Sequence, residues 1–273
     1  MNTPQNNKAQ TFKALHERTG LFVIPNPWDA GSAKMLAGLG FEALATTSAG
    51  LAYALGRPDG SVSRDEALEN ASAIVEATTL PVAADLENGY GDSPEACAET
   101  ILLAAKVGLS GCSIEDATGN EQNPIYEFEH AVERIKAAVK AARSLPDPFM
   151  LTARAENFLH GRIDLKDTIR RLEAYADAGA DVLYAPGLST LAEVDAVVKA
   201  VSPKPVNVLL SVNKHGFTLD ALAKLGVKRV SVGSLLARVA YGAFYTASQE
   251  LQKGSLSFAD NAIGYDKLNK MFK

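Results

Sequence analysis

Four segments of this chain repeat one junction: "MLAGLGFEALATTSAG", "AAKVGLSGCSIED", "YADAGADVLYAPG" and "LAKLGVKRVSVGS". In each, an alanine- and leucine-rich helical pattern stops at a glycine, where a left-handed cap costs least, and a β-rich run begins shortly after. Between them lie four further apolar runs, "LFVIPN", "LPVAADLEN", "PFMLTARAEN" and "KPVNVLLSV", which follow helical stretches or open the chain. Strands that alternate with helices at this spacing must pair in parallel through right-handed crossovers. Eight such units in about 250 residues predict an α/β fold, a (β/α)8 TIM-type barrel. A doubly wound open sheet is the rival architecture, but no G-x-G-x-x-G follows the first strand.

Helix starts agree with this frame. Ser63 followed by Glu66 reads as a capping box, and Ser93 is followed by Pro94 at the first helical position. Thr190 and Thr218 open two further helical patterns. No linker or low-complexity tract divides the 273 residues, so the expectation is a single domain, 1–273. The segment from about 235 to 273 holds more apolar and aromatic residues than a last barrel helix needs, and such surface seeks a partner.

Composition excludes several partners. The net charge of -5 offers no basic stripe for nucleic acid. No run of about 18 apolar residues could span a membrane, and the polar N-terminus lacks a signal-peptide core. Only two cysteines, Cys97 and Cys112, occur, without metal-pair spacing, which fits a reducing, cytoplasmic setting. Side-chain parity packs Cys112 beneath the helices. His16 and His130 are expected on the surface, whereas His160 and His215 fall in loops after strands five and seven.

In such barrels, catalytic groups come from the C-terminal ends of the strands. Strand two ends in "TTSAG" and leads into a loop carrying Asp59. Strand three ends in Asp85 and Glu87, strand four in Glu115 and Asp116, and strand five in Arg154 and Glu156. Alternation puts Asp85 with Glu87, Ser113 with Glu115, and Thr152 with Arg154 on one face each. If that face is the interior, the acids converge and repel one another unless a cation or shared protons relieve them. Oxygen ligands without Cys or His favour Mg²⁺ or Mn²⁺ over zinc. Arg154 then offers a planar fork for the carboxylate of a small oxo acid. The plainer alternatives are acids that cap the next helix, a turn at "NGYGD" set only by its glycines, and an Arg154 that is a structural ion-pair partner. "SVGSLLARVA" carries a weak phosphate-cradle signal.

Taken together, "TTSAG", "GRPDG", "ADLENGYGD", "IED" and "LTARAENFL" resemble, in order and spacing, the isocitrate lyase and phosphoenolpyruvate mutase superfamily, over nearly the whole chain. The resemblance implies a barrel whose eighth helix is exchanged between subunits, commonly in homotetramers. It also implies Mg²⁺ or Mn²⁺ holding an oxo or hydroxy acid while a C–C or P–C bond is made or broken. By position, Asp85 is the direct metal ligand, and Asp59, Glu87 and Glu115 hold metal-bound waters. The backbone at Ser48, Ala49 and Gly50 receives the substrate carboxylate. Arg154 steadies the substrate, so Asp59, Glu115 and Arg154 are the expected catalytic groups.

The chain departs from that pattern in two places. After "IEDAT" the family's lyases carry a cysteine-bearing loop, and this chain reads "GNEQNPIYEFEHAVERI", with neither that cysteine nor the mutase's Lys and Asn pair. The mutase's histidine after strand six falls near Pro186. A positioned proton donor typically contributes about 10²- to 10⁴-fold. Its loss argues against isocitrate or methylisocitrate cleavage and for a simpler step, decarboxylation or retro-aldol cleavage of a small 2-oxo or 2-hydroxy acid through a metal-stabilised enolate. His215 or Tyr126 could then quench the product. The alternatives are a phosphonate P–C mutase or hydrolase and a non-catalytic metabolite-binding relative.

Overall fold

The computed structural model describes residues 4–212 and 216–273. Its strands are β1 (Phe22–Ile24), β2 (Leu44–Ala45), β3 (Val82–Asp85), β4 (Gly111–Glu115), β5 (Met150–Arg154), β6 (Val182–Tyr184), β7 (Val206–Leu209) and β8 (Arg229–Ser231). All pair in parallel, in the order β1-β8-β7-β6-β5-β4-β3-β2. The two ends of that order meet where the Ala45 N–H donates to the Pro25 carbonyl at 3.1 Å. The result is a nearly closed (β/α)8 barrel, and its strands are the eight runs picked out in the sequence.

Local chemistry explains why the elements start and stop where they do. Ser63 with Glu66 and Thr190 with Glu193 form reciprocal capping boxes, and Ser93 and Thr218 cap their helices through the hydroxyl. Each such cap is worth about 1 kcal/mol. The glycines of the four repeated junctions, Gly40, Gly108, Gly179 and Gly226, all have φ between 86° and 103°, a region in which a side chain would be strained.

The strands sort their side chains by parity. Ala84, Cys112, Ile114, Leu151 and Ala153 point outward into the layer beneath the helices and are almost fully buried there. Fully burying one of the larger of these contributes about 1.5–3 kcal/mol. The bottom of the barrel is plugged by the helix Pro4–Glu17, whose Phe12 and Leu15 join Phe22, Ile24, Ala43, Ala83, Met150 and Val182. His16, expected on the surface, belongs to this plug and is 3% exposed. Its Nδ1 donates to the Phe12 carbonyl at 2.8 Å, and its ring stacks edge-on against Phe12 and Phe22.

At the other end of the chain the helix Leu235–Gln252 buries only Ala237 and leaves Phe244 70% and Tyr245 64% exposed. The terminal helix Tyr265–Met271 is tied back to the barrel wall, where Lys34 donates to the Phe272 carbonyl at 2.9 Å. Among the described residues, no helix is long and apolar enough to cross a membrane.

Candidate functional site

A cavity of about 410 Å³ opens at the C-terminal ends of the strands and runs down between them. One wall is acidic. Inward parity brings Asp85 opposite Ser113 and Glu115 opposite Arg154. Arg154 binds three carboxylates at once: Nη1 to Asp85 at 2.8 Å, Nη2 to Glu115 at 3.0 Å and Nε to Glu156 at 2.9 Å. The fork expected to face a substrate carboxylate is therefore engaged with the protein's own acids. A guanidinium has five N–H donors, so two stay available. Asp85 is further fixed by Ser48, whose hydroxyl donates to Oδ2 at 3.1 Å, while Thr46 Oγ1 accepts from the Asp85 N–H.

Burial dominates the electrostatics of this wall. It raises the Glu87 carboxyl to about 7, helped by the charges of Asp85 and Asp59 and opposed by Arg154. Burial also pushes Glu115 well above the usual carboxylate range against the pull of Arg154. Asp59, on its loop at the mouth, is raised by desolvation and by Asp85. Several acids at one mouth outnumber their guanidinium partner, and the excess appears as carboxyls that resist ionisation.

Pleat alternation does not place Glu87. Strand β3 ends at Asp85, and Glu87 sits beyond it with φ +47°. Glu87 and Tyr90 (φ +59°) are the non-glycine residues with positive φ among those described, and both lie in "ENGY". Such backbone costs on the order of 1 kcal/mol or more and collects at functional sites. Gly89 adds φ +83° and a close approach, since a Cβ there would lie 3.1 Å from Cys97 Sγ. Arg134 holds the turn from below, donating to the carbonyls of Asn88, Gly91 and Asp92. Behind it, Asp116 accepts from the Glu156 N–H, Arg171 and the Tyr175 hydroxyl, which makes it a structural hub outside the cavity.

Of the three residues expected to offer carboxylate-binding amides, Ser48 and Ala49 line the cavity. Gly50 is buried and its N–H already donates to Thr47 Oγ1 at 3.3 Å, so it is not an open donor. Its glycine has a steric reason instead, because a Cβ would lie 2.6 Å from Thr47 Cγ2. Tyr126 stands outside the cavity, with its hydroxyl on Asp92 at 2.6 Å. His130 is exposed and bonded to the Asp92 carbonyl, His160 is exposed beside the rim, and His215 lies outside the described residues. The segment after "IEDAT" forms a small hairpin, with a bridge between Ala117 and Ile125 and a bond from the Thr118 N–H to the Pro124 carbonyl at 2.9 Å. Cys97 and Cys112 are both free and buried.

The opposite wall was missed in the sequence. Strands β6 to β8 contribute Tyr184, Asn207, Arg229 and Ser231 to the same cavity. Asn207 accepts from Arg229 Nε at 2.9 Å and donates to Ser231 Oγ at 3.0 Å. The Tyr184 ring lies 5.2 Å from the Arg154 guanidinium carbon. The available signal was parity: in "KRVSV", Arg229 and Ser231 alternate with apolar residues, so the arginine had to face inward.

The acidic wall fits a hard cation held mainly through waters. Among the described residues no three His, Cys, Asp or Glu side chains form a preformed set of direct ligands. Glu87 Oε1, however, is buried with no hydrogen-bond partner there, an orphaned acceptor that a hydrated ion would satisfy.

The sequence profile of phosphoenolpyruvate phosphomutase matches residues 12–252. A solved structure from Burkholderia cenocepacia J2315, described as a lyase/mutase, superposes with a TM-score of 0.96 at 56% identity over 98% of this chain and 96% of that one. Oxaloacetate acetylhydrolase in complex with its product oxalate superposes with a TM-score of 0.89 at 27% identity, over 98% and 94% of the two chains. Oxaloacetate decarboxylase of Marinomonas sp. (strain MWYL1) is 27% identical over 99% of this chain and 96% of its own length.

Proposed function

Since this chain belongs to the phosphoenolpyruvate phosphomutase family, within the isocitrate lyase and phosphoenolpyruvate mutase superfamily, we propose that it is a Mg²⁺-dependent lyase. It cleaves a C–C bond of a small 2-oxo or 2-hydroxy carboxylic acid, by decarboxylation or retro-aldol cleavage. The observation that carries this reading is the clustering of Glu87 and Glu115 with Asp59 and Asp85, the two acids that line the cavity, with an unpartnered buried oxygen on Glu87.

Asp85 would be the direct ligand, anchored by Ser48 and Arg154, and Asp59, Glu87 and Glu115 would hold the ion's waters. When bound, Mg²⁺ supplies Lewis acidity toward the substrate's oxo oxygen and neutralises the excess of carboxylates. The chain's own groups orient the acid. The amides of Ser48 and Ala49 would receive its carboxylate, and the two N–H groups of Arg154 left over from its ion pairs would meet the charge that develops as the C–C bond breaks. The self-bonded hairpin at 117–125 offers no thiol for proton transfer, in accord with a step whose first product, such as CO2, leaves without a proton.

The exposed apolar helix Leu235–Gln252 would be covered by a neighbouring copy in a cytoplasmic homotetramer, and light scattering that reports a monomer would oppose this. The function is tested by incubating the protein and Mg²⁺ with a panel of 2-oxo and 2-hydroxy acids, with products identified by NMR and pyruvate followed by a coupled assay. Pyruvate or a close analogue from one of them is the expected result. Robust glyoxylate release from isocitrate, turnover of a phosphonate alone, or no product from any acid would overturn the proposal.

A further inference from the structure

We propose that Arg229, on the floor of the cavity, receives a second carboxylate, so that the substrate of the lyase reaction proposed above is a dicarboxylate held between the acidic wall and this guanidinium. Arg229 is 6% exposed, and its side chain lines the cavity. Its partners are all neutral: Asn207 Oδ1 at 2.9 Å, Thr152 Oγ1 at 2.9 Å and His16 Nε2 at 3.2 Å. His16 acts there as an acceptor, because its Nδ1 proton is spent on the Phe12 carbonyl. Among the described residues no carboxylate lies within ion-pair distance of Arg229, whereas the half-buried Arg154 and the buried Arg171 are both paired with acids. The remaining buried arginine, Arg134, spends its charge on three carbonyls and the Tyr126 ring.

A buried charge without a counter-charge is costly, and removing one partner of a buried pair is among the most destabilising changes. A chain that keeps such a cation at the bottom of an open cavity has left its counter-ion to come from outside. Three of the five N–H donors are taken, which leaves two for an incoming anion. The shape agrees. Across the barrel, Ala45, Ala83 and Ser113 present small side chains at this depth, so the cavity stays open down to Arg229. The Arg229 head touches Thr152, one inward layer below Arg154 on the same strand, and two residues of strand span about 6.6 Å. That separation suits the two ends of a diacid of four or five carbons. With one end at the acidic wall and the other on Arg229, the substrate's orientation is fixed before any bond breaks, which is the geometric part of catalysis.

The test uses the full chain with Mg²⁺ present, so that the acidic wall carries its cation. Succinate and glutarate are compared with propionate and pyruvate by thermal shift and calorimetry. The wild type should bind the diacids at least about tenfold more tightly than the monoacids. Arg229→Gln should erase that preference and Arg229→Lys should keep part of it. Asn207→Asp puts a carboxylate beside the intact arginine and should also erase it, which covers the case in which the Arg229 variants do not fold. Oxalate binding in the presence of Mg²⁺, which engages the acidic wall alone, should be unchanged in Arg229→Gln. A wild type with no diacid preference, or an Asn207→Asp or folded Arg229→Gln variant that retains it, overturns the proposal. If diacids bind as described but no acid is turned over, the lyase reading fails and the Arg229 site stands.

Discussion

The two walls of the cavity are built from the same kind of strand and carry opposite charge. Strands β2 to β5 and their loops deliver Asp59, Asp85, Glu87, Glu115 and Glu156 around a single guanidinium, Arg154. Strands β6 to β8 deliver Tyr184, Asn207, Ser231 and a second guanidinium, Arg229, and among the described residues no acid from them lines the cavity. Each wall alone is electrostatically unfinished. One has more carboxylates than its single guanidinium can offset and the other has a guanidinium without an acid, and a cation with a dianionic acid completes both. The difference shows how a symmetric barrel acquires direction: the strand frame repeats, and the polar residues at its inward positions do not.

The comparison breaks most visibly at Asp85. Asp85→Ala removes the anchor of the acidic wall and should lower turnover by about 10³-fold, since a Lewis-acid contribution is worth several kcal/mol. Steady-state kinetics on whichever acid proves active would measure this, and a change under tenfold would count against the wall's role. Next in size is Arg154→Met, which strips the shared counter-charge from Asp85, Glu115 and Glu156. Urea denaturation without metal should show a loss of about 3–5 kcal/mol, partly restored by Mg²⁺.

The lower end of the Arg229 wall is probed through His16. Burial, then the Arg229 charge, holds this imidazole down to about 3. Between that value and its ordinary 6.5, the unfolded chain binds a proton that the folded chain refuses. Stability conferred by neutral His16 is therefore complete above about pH 6.5 and is lost on acidification, by up to about 1.4 kcal/mol per pH unit. His16→Gln should flatten that slope in unfolding experiments between pH 4 and 7, and an unchanged slope would detach His16 from the effect.

Glu87 gives the smallest effect, and it has the opposite sign. Its folded value of about 7 exceeds the ordinary 4.5, so its contribution is present below pH 4.5 and fades as pH rises through 7. Glu87→Gln should accordingly stabilise the metal-free protein at pH 8 by on the order of 1–3 kcal/mol and leave it unchanged at pH 4. Added Mg²⁺ should shrink the gain. Equal stability of the two proteins at pH 8 would mean that the buried acid carries no such cost.

The strand frame was legible because the glycine-terminated junctions, the Ser and Thr caps and the eight apolar runs are local signals. The acids of "ADLEN" and "IED" were legible because they close strands whose parity is easily counted. Two kinds of feature were not. The turn that carries Glu87 is set by positive φ and by Arg134 reaching over from a helix more than forty residues away, which no alternation rule contains. His16 reads as a surface residue because it is polar beside a Glu. Its burial follows from the N-terminal helix plugging the barrel, a long-range contact absent from the local sequence.

On this reading the acidic wall, and not the wall of Arg229, holds a divalent cation through Asp85. Mn²⁺ titrated into the protein, with the free ion read from its electron paramagnetic resonance signal, tests it directly. A single bound ion per chain is expected in the wild type and in Arg229→Gln, and none over the same concentration range in Asp85→Ala. Equal binding by the wild type and Asp85→Ala would contradict it.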